Sequence, residues 1–298
     1  MDSHESGCTG ANGEWCTVGS DVMPQVMRCP HILTGYRPLG LSWHQIARSL
    51  WRRHNELINV WTHLLPVPYF GAQTLRVLLL DGGFDRRSDR LALAAFTAGA
   101  TGLFAASAAF HLGCCKSESW FRRLQICDYE GINLLITSMY IPGVWLSHGR
   151  RSPVAARAYL ALTGAVWLHV HRSNWARKNR NDAGRARVRT LLAVQGTWGI
   201  GVVLHFVLKH HVWRARAPGA APLPQVVQFL RSVGGMWASM GVGFVYFLTY
   251  FPECCCPGRF DIVGHSHQWW HCCVTFGCHW WLREMRRLNM INVASRSK

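Results

Sequence analysis

The chain has 298 residues, of which 49% are hydrophobic, with 15 tryptophans and a formal net charge of +17 at pH 7. This apolar content favours a helical membrane bundle over two small soluble domains. The basic residues lie in short segments between apolar runs, not in one patch. That distribution argues against a nucleic-acid-binding surface and is typical of loops that flank membrane spans.

The first 33 residues are polar and lack the basic and apolar regions of a cleaved signal peptide. We predict that residues 1–33 are a disordered tail that stays on the cytoplasmic side. The segment at 34–56 contains LSWHQIARSLWRRHNE, in which apolar and basic positions alternate with helical spacing. This pattern predicts a short helix that lies along the membrane interface.

Seven apolar segments are long enough to cross a bilayer, which needs about 20 residues at about 1.5 Å per residue. The sequence therefore predicts an all-α integral membrane protein: a seven-transmembrane helix bundle at 57–283, followed by a basic C-terminal tail at 284–298. Lysine and arginine are more numerous in the loops that are cytoplasmic when the N-terminus is cytoplasmic, which favours that orientation. The predicted spans are 57–80, 91–113, 125–146, 153–171, 190–208, 225–251 and 265–283.

A polar stripe marks the start of the first predicted span, where Asn55, Asn59 and His63 recur at every fourth residue. We interpret the stripe as an interhelical hydrogen-bond seam, because polar groups in hydrocarbon cost free energy unless they have partners. In the sixth predicted span, small residues recur in the same way and indicate close helix packing. These are Gly235, Ser239 and Gly243.

The sequence GHSHQWWHCCV at 264–274 opens the seventh predicted span and places His267 four residues before His271. On a helix the two imidazoles lie about 40° apart around the axis and one turn apart along it, so both can reach one ion. The alternative is a pair of interfacial histidines beside Trp269 and Trp270. A metal site requires a further ligand from elsewhere in the chain.

Three predicted spans bring further candidates to the same membrane face. The second span ends near His111, with Ser107 one turn earlier, and the third begins near Asp128. Because successive spans alternate in direction, these ends lie at the same face as the start of the seventh span, with His267 and His271. Three neutral imidazoles leave one position of a tetrahedral zinc ion open to water, and Asp128 suits the role of taking the proton of that water.

Motifs in a fixed order connect these positions. They are TGYRP (34–38), HNELINVWTH (54–63), SAAFH (107–111), CDYEGI (127–132), PECCCPGRFD (252–261) and HSHQWWH (265–271). Together they resemble the progestin and adipoQ receptor (PAQR) family, which includes haemolysin-III-related proteins. The early end of the chain after the seventh span is more similar to the adiponectin-receptor-like branch. One departure is Cys254, which stands where the family usually has an arginine.

The resemblance implies a seven-helix receptor-like fold with a cytoplasmic N-terminus and a zinc ion near the cytoplasmic face. The family's three zinc ligands correspond to His111, His267 and His271. The aspartate that holds the zinc-bound water corresponds to Asp128, and the serine of the same site corresponds to Ser107. The resident membrane, plasma membrane or Golgi, is left open.

Two functions are compatible with these expectations. The first is a zinc-dependent, ceramidase-like amidohydrolase that acts on ceramide or another sphingolipid of the membrane and is linked to signalling. The second is a non-catalytic ligand-binding receptor or scaffold, in which zinc is structural and a signalling protein contacts the cytoplasmic loops, including the basic segment 172–189. The cysteines at 254–256 are either S-palmitoylated or unmodified thiols beside the membrane.

Overall fold

The computed structural model describes residues 15–84, 86–149, 152–176, 181–214 and 224–295. Within these ranges the chain consists of α-helices, short 3-10 helices and one isolated antiparallel bridge between Val18 and Tyr36. The α-helices are α1 (Trp43–Arg48), α2 (Leu57–Leu64), α3 (Pro66–Leu79), α4 (Arg87–Gly113), α5 (Glu118–His148), α6 (Pro153–Trp175), α7 (Asp182–Thr197), α8 (Gly199–Arg214), α9 (Pro224–Thr249) and α10 (Ser266–Ala294).

Each predicted span overlaps helical structure, so the all-helical class is confirmed. The first span corresponds to α2 and α3, the fifth to α7 and α8, and the others to single helices. Among the described residues, the segments Arg87–Gly113 and Asp182–Lys209 have the length and composition of a membrane-crossing helix. The count of seven membrane spans stays a prediction.

The first and fifth predicted spans are each interrupted once. Helix α2 ends at Leu64 and α3 begins at Pro66, which has no backbone N–H to continue the hydrogen-bond ladder. Between α7 and α8, the N–H of Gly199 donates to the phenolic oxygen of Tyr140 at 3.1 Å. A side-chain acceptor thus replaces a main-chain acceptor at this break.

The chain separates into two compact units, and helices such as α4, α5 and α10 contribute to both. The first unit carries the candidate metal centre. It consists of Met1–Leu65, Ala105–Cys127 and Met240–Thr275, and the second unit consists of Pro66–Phe104, Asp128–Ser239 and Phe276–Lys298.

The described part of the N-terminal tail packs within the first unit. It forms two 3-10 helices, Ser20–Val22 and Gln25–Met27, and buries Met23 and Met27. Residues 15–33 therefore differ from the predicted disordered tail, because their apolar side chains are removed from water in a core cluster. Residues 1–14 lie outside the described chain. The buried members of the cluster are Met23, Met27, Ile32, Tyr36, Cys114 and Phe121.

The predicted interfacial helix corresponds to α1, which is shorter than the segment 34–56. A capping box begins this helix: the N–H of Gln45 donates to the Ser42 hydroxyl at 3.2 Å, and the N–H of Ser42 donates to Oε1 of Gln45 at 2.8 Å. Ile46 on its inner face is buried, whereas the polar residues His44 and Arg48 are exposed. The helix is therefore amphipathic, as its sequence predicts.

In the second unit, α10 continues to Ala294 and includes most of the predicted basic tail 284–298. The fully buried carboxylate of Glu284 accepts hydrogen bonds from Gln228 at 2.7 Å and from Arg287 at 2.9 Å. These partners offset the cost of burying a charge, so the helix extends beyond its apolar segment. Residues 284–294 are thus helical, and the end of the transmembrane domain at residue 283 stays a prediction.

Small residues on α9 allow close packing, as predicted. A Cβ atom at Gly243 would lie 2.7 Å from Cβ of Cys273 in the first unit. At Gly235, in the second unit, a Cβ atom would overlap the indole ring of Trp280. Larger side chains at these two positions would push neighbouring side chains away, which explains the choice of glycine.

Candidate metal centre

His111, His267 and His271 form a cluster within the first unit. Their metal-binding atoms lie within 4.8 Å of one another, and their ring centroids are 4.6 to 5.2 Å apart. His111 is near the end of α4, and the other two histidines occupy the first two turns of α10. His111 and His271 are buried and His267 is half-buried. The structure thus brings together the three histidines that the sequence singles out.

A buried carboxylate fixes the start of α10. Glu253 accepts a hydrogen bond from the N–H of Ser266 at 2.7 Å and another from the Ser266 hydroxyl. A negative charge at a helix N-terminus satisfies free N–H groups and interacts favourably with the helix dipole. Because His267 is the next residue, Glu253 holds the backbone that carries one of the three imidazoles.

A buried guanidinium fixes the end of α4 in the corresponding way. Arg37, from the TGYRP motif, donates to the carbonyl oxygen of His111 at 2.6 Å and to that of Leu112 at 2.8 Å. Cationic side chains suit the carbonyl end of a helix, where oxygens lack intrahelical partners. Arg37 therefore holds the backbone of His111 without contacting its ring.

The ring of His111 is oriented by Glu56, the residue just before α2. Nδ1 of His111 lies 2.7 Å from Oε2 of Glu56, and the same oxygen accepts from the Asn59 amide at 2.7 Å. A carboxylate oxygen accepts, so Nδ1 carries the proton and Nε2 keeps a lone pair. Nε2 of His111 is buried and has no hydrogen-bond partner in the described chain. A carboxylate behind a histidine with one bare nitrogen is the arrangement of metal-binding histidines.

His271 has an analogous partner in Thr62. Nδ1 of His271 lies 3.0 Å from the Thr62 hydroxyl oxygen, and that hydroxyl donates to the carbonyl oxygen of Ile58 at 2.8 Å. Because the hydroxyl proton points to Ile58, its oxygen accepts the Nδ1 proton of His271. The neutral tautomer again leaves Nε2 as the donor atom for a metal ion.

The polar stripe of the first predicted span lies against this cluster. The imidazole of His63 stacks on His271, with centroids 3.5 Å apart and planes 14° apart. The carbonyl of Asn55 lies 3.2 Å from Nε2 of His265. The stripe thus contacts other elements through a ring stack and a main-chain carbonyl, and the side-chain hydrogen-bond seam stays a prediction. Sequence analysis missed the place of the stripe beside the metal centre. The residue that could have indicated this place is Glu56 of the HNELINVWTH motif, which lies one helical turn before Asn59.

The two predicted catalytic residues have different positions. Ser107 is buried on α4, one turn before His111 and within the first unit. Asp128 is half-buried on α5 and belongs to the second unit. The roles of both residues in catalysis stay predictions.

Three clustered imidazoles, two of which have hydrogen-bonded outer nitrogens, fit a divalent ion such as zinc. The fold and site thus define an α-helical protein with a candidate metal centre at the ends of two helices. The family model for haemolysin-III-related proteins matches residues 51–282, which include all three histidines. The chain therefore belongs to the PAQR and haemolysin-III-related family of membrane proteins.

Relatives from three distant organisms are similar in sequence to most of this chain. The chain is 26% identical over 266 residues to progestin and adipoQ receptor-like protein 1 of Caenorhabditis elegans, covering 87% of this chain and 58% of the relative. It is 29% identical over 272 residues to membrane progestin receptor alpha of Mus musculus, covering 86% and 72%. It is 27% identical over 262 residues to heptahelical transmembrane protein 1 of Arabidopsis thaliana, covering 86% and 76%.

Proposed function

We propose that this protein is a seven-span membrane receptor of its family that uses zinc to hydrolyse the amide bond of a ceramide-like lipid. In this proposal the N-terminus and the zinc centre lie at the cytoplasmic side. The observation that carries the proposal is the cluster of three histidines, in which Glu56 holds Nδ1 of His111 and leaves its buried Nε2 bare.

The side chains have separate roles in the proposed hydrolysis. When bound, zinc supplies Lewis acidity that polarises a carbonyl and activates water near neutral pH. Asp128 accepts the proton of the attacking water and later returns it to the leaving amine. The Ser107 hydroxyl donates a hydrogen bond to the carbonyl oxygen as negative charge develops there. Glu56 and Thr62 keep two of the imidazoles neutral and correctly oriented.

A second function is a ligand-binding receptor in which zinc is structural. It is favoured by the names of the relatives, which include membrane progestin receptors, and by the origin of the ligands on two different helices. A metal ion would then join the end of α4 to the start of α10. A signalling protein would contact the cytoplasmic side, including the basic segment 172–189. This segment comprises the end of α6 and the start of α7, and its residues 177–180 lie outside the described chain.

Lipid turnover by purified protein distinguishes the two functions. We expect the wild-type protein to release fatty acid from ceramide, and Asp128→Asn to reduce turnover about 100-fold or more while retaining zinc. Asp182→Asn, which changes an exposed aspartate at the start of α7, serves as the matched control. Zinc-loaded wild-type protein without turnover would contradict the hydrolase and support the receptor.

A further inference from the structure

Two consecutive exposed cysteines, Cys255 and Cys256, lie between the end of α9 at Thr249 and the start of α10 at Ser266. They follow Cys254, which stands where the family usually has an arginine. All three thiols are free, and Sγ of Cys254 lies 3.7 Å from Sγ of Cys255. The segment therefore presents a pair of accessible nucleophilic sulfur atoms.

Several apolar side chains of this segment and of the adjoining helix turns are exposed. Phe251 is 51% exposed and Val263 is 59% exposed, and Leu248 in the last turn of α9 is 59% exposed. Trp269, in the first turn of α10, is 48% exposed. A concentration of exposed aliphatic and aromatic side chains beside helix ends is typical of a surface that meets the bilayer interface.

The same segment is fixed from its inner side. Asp261 is buried and accepts hydrogen bonds from the N–H and the hydroxyl of Thr34, both at 2.7 Å. Glu253 is buried and holds the first residue of α10. Because these two carboxylates anchor the segment inwards on either side of the cysteine pair, Cys255 and Cys256 are held on its outer surface.

We propose that Cys255 and Cys256 are S-acylated by long-chain fatty acids. The Cys thiolate attacks the thioester carbonyl of a fatty acyl-coenzyme A, in a transfer that a membrane acyltransferase catalyses. The new carbon–sulfur bond replaces the bond to coenzyme A, and coenzyme A leaves as a thiol with the proton that the cysteine has lost. No oxidation or reduction takes place.

The acyl chains would insert into the bilayer beside the exposed ends of α9 and α10. Because two chains anchor far more firmly than one, a pair of cysteines suits lasting attachment of this segment to the membrane. The proposed modification requires that the segment lies at the cytoplasmic face, and the predicted topology places it there. It does not depend on zinc or on hydrolysis, so its test is independent of the proposed function.

The full chain is expressed in eukaryotic cells, and thioester-linked cysteines are exchanged for a maleimide mass tag after hydroxylamine cleavage. We expect a hydroxylamine-dependent shift of two tags in the wild-type protein, one tag in Cys255→Ser and none in the Cys255→Ser/Cys256→Ser double variant. Cys272→Ser is the matched control, because Cys272 is exposed but lies within α10, and its tags should equal those of the wild-type protein.

Peptide mass spectrometry of the purified wild-type protein locates the modification independently, so the test does not require the double variant to fold. An acyl mass increment on the peptide that contains Cys255 and Cys256 is the expected result. A wild-type protein without a hydroxylamine-dependent shift, or a full shift that persists in the double variant, would overturn the proposal.

Discussion

Glu56 acts on the candidate centre through a histidine. Its carboxylate contacts Nδ1 of His111, on the side of the ring away from the bare Nε2, and the Asn59 amide holds the same oxygen. Such a carboxylate fixes the tautomer and raises the basicity of the nitrogen that binds the metal. Glu56 is therefore a positioning residue, and zinc affinity should report its contribution.

Glu56→Gln should weaken zinc binding about 10-fold or more, because the amide lacks the negative charge that favours a strongly donating imidazole. The measurement is a competition titration with a chromophoric zinc chelator. Glu118→Gln removes an exposed carboxylate that pairs with Arg122, and should leave the affinity unchanged. Equal affinities of wild-type and Glu56→Gln protein would contradict the assigned role.

His54, which precedes the first predicted span, is a completely buried neutral imidazole. Its Nε2 lies 3.2 Å from the carbonyl oxygen of Ser49, and its Nδ1 accepts the N–H of Glu56 at 3.1 Å. Burial, with a smaller contribution from the positive charge of Arg37, lowers the pKa of His54 to about 3. The folded protein thus resists protonation that the unfolded chain, with a pKa of about 6.5, accepts.

Stability from neutral His54 is fully present above about pH 6.5 and declines as the pH falls towards the folded-state pKa. At about pH 5.5 the expected loss is about 1 kcal/mol. Thermal melting in detergent, with zinc removed by a chelator, should therefore show a smaller acid-induced decrease for His54→Asn than for the wild-type protein. The same decrease in both proteins would contradict this account of His54.

At the scale of elements, Gly35 shows how a loop holds the first unit together. It has a φ of +81°, and its carbonyl oxygen accepts the N–H of Asn55 at 2.8 Å. A Cβ atom at this position would overlap the side chain of Ile262 and lie 3.4 Å from the Asn55 nitrogen. Both the conformation and the close approach therefore require glycine.

Gly35→Ala should lower the free energy of unfolding by about 2 kcal/mol, from backbone strain together with overpacking. Gly40→Ala is the matched control, because Gly40 has a φ of +82° but open space around its Cα atom. Strain alone should cost about 1 kcal/mol there. Thermal melting of the two variants measures the difference, and equal losses would show that the contact with Ile262 is unimportant.

Helix positions followed from the apolar segments, but helix ends did not. Hydrophobic length predicted α4 and α9 closely, because a membrane-crossing segment must be apolar for about 20 residues. Along the continuation of α10 to Ala294, the buried carboxylate of Glu284 has hydrogen bonds from Gln228 and Arg287, with further cations at Arg231 and Arg283. The spacing of Glu284 and Arg287 is that of a helical ion pair, but Gln228 lies far away in the sequence, so no local pattern indicates that Glu284 can be buried.

For the molecule as a whole, the histidine cluster could be predicted because successive predicted spans alternate in direction. That rule places the end of the second span with the starts of the third and seventh, and it selects His111, His267 and His271. It does not show which way a side chain points, so Glu56 and Thr62 were missed. The packing of residues 15–33 was also missed, because scattered residues such as Met23 and Met27 have no periodic pattern.

We propose that three histidines of two helices hold one zinc ion. The decisive measurement is the zinc content of the protein, purified in detergent without chelators, compared with that of the His267→Ala/His271→Ala variant. His279→Ala, which changes an exposed histidine of α10, is the control. We predict about one zinc per chain in the wild-type protein and in the control, and none in the double variant. A wild-type protein without zinc, or a double variant that retains it, would contradict the account.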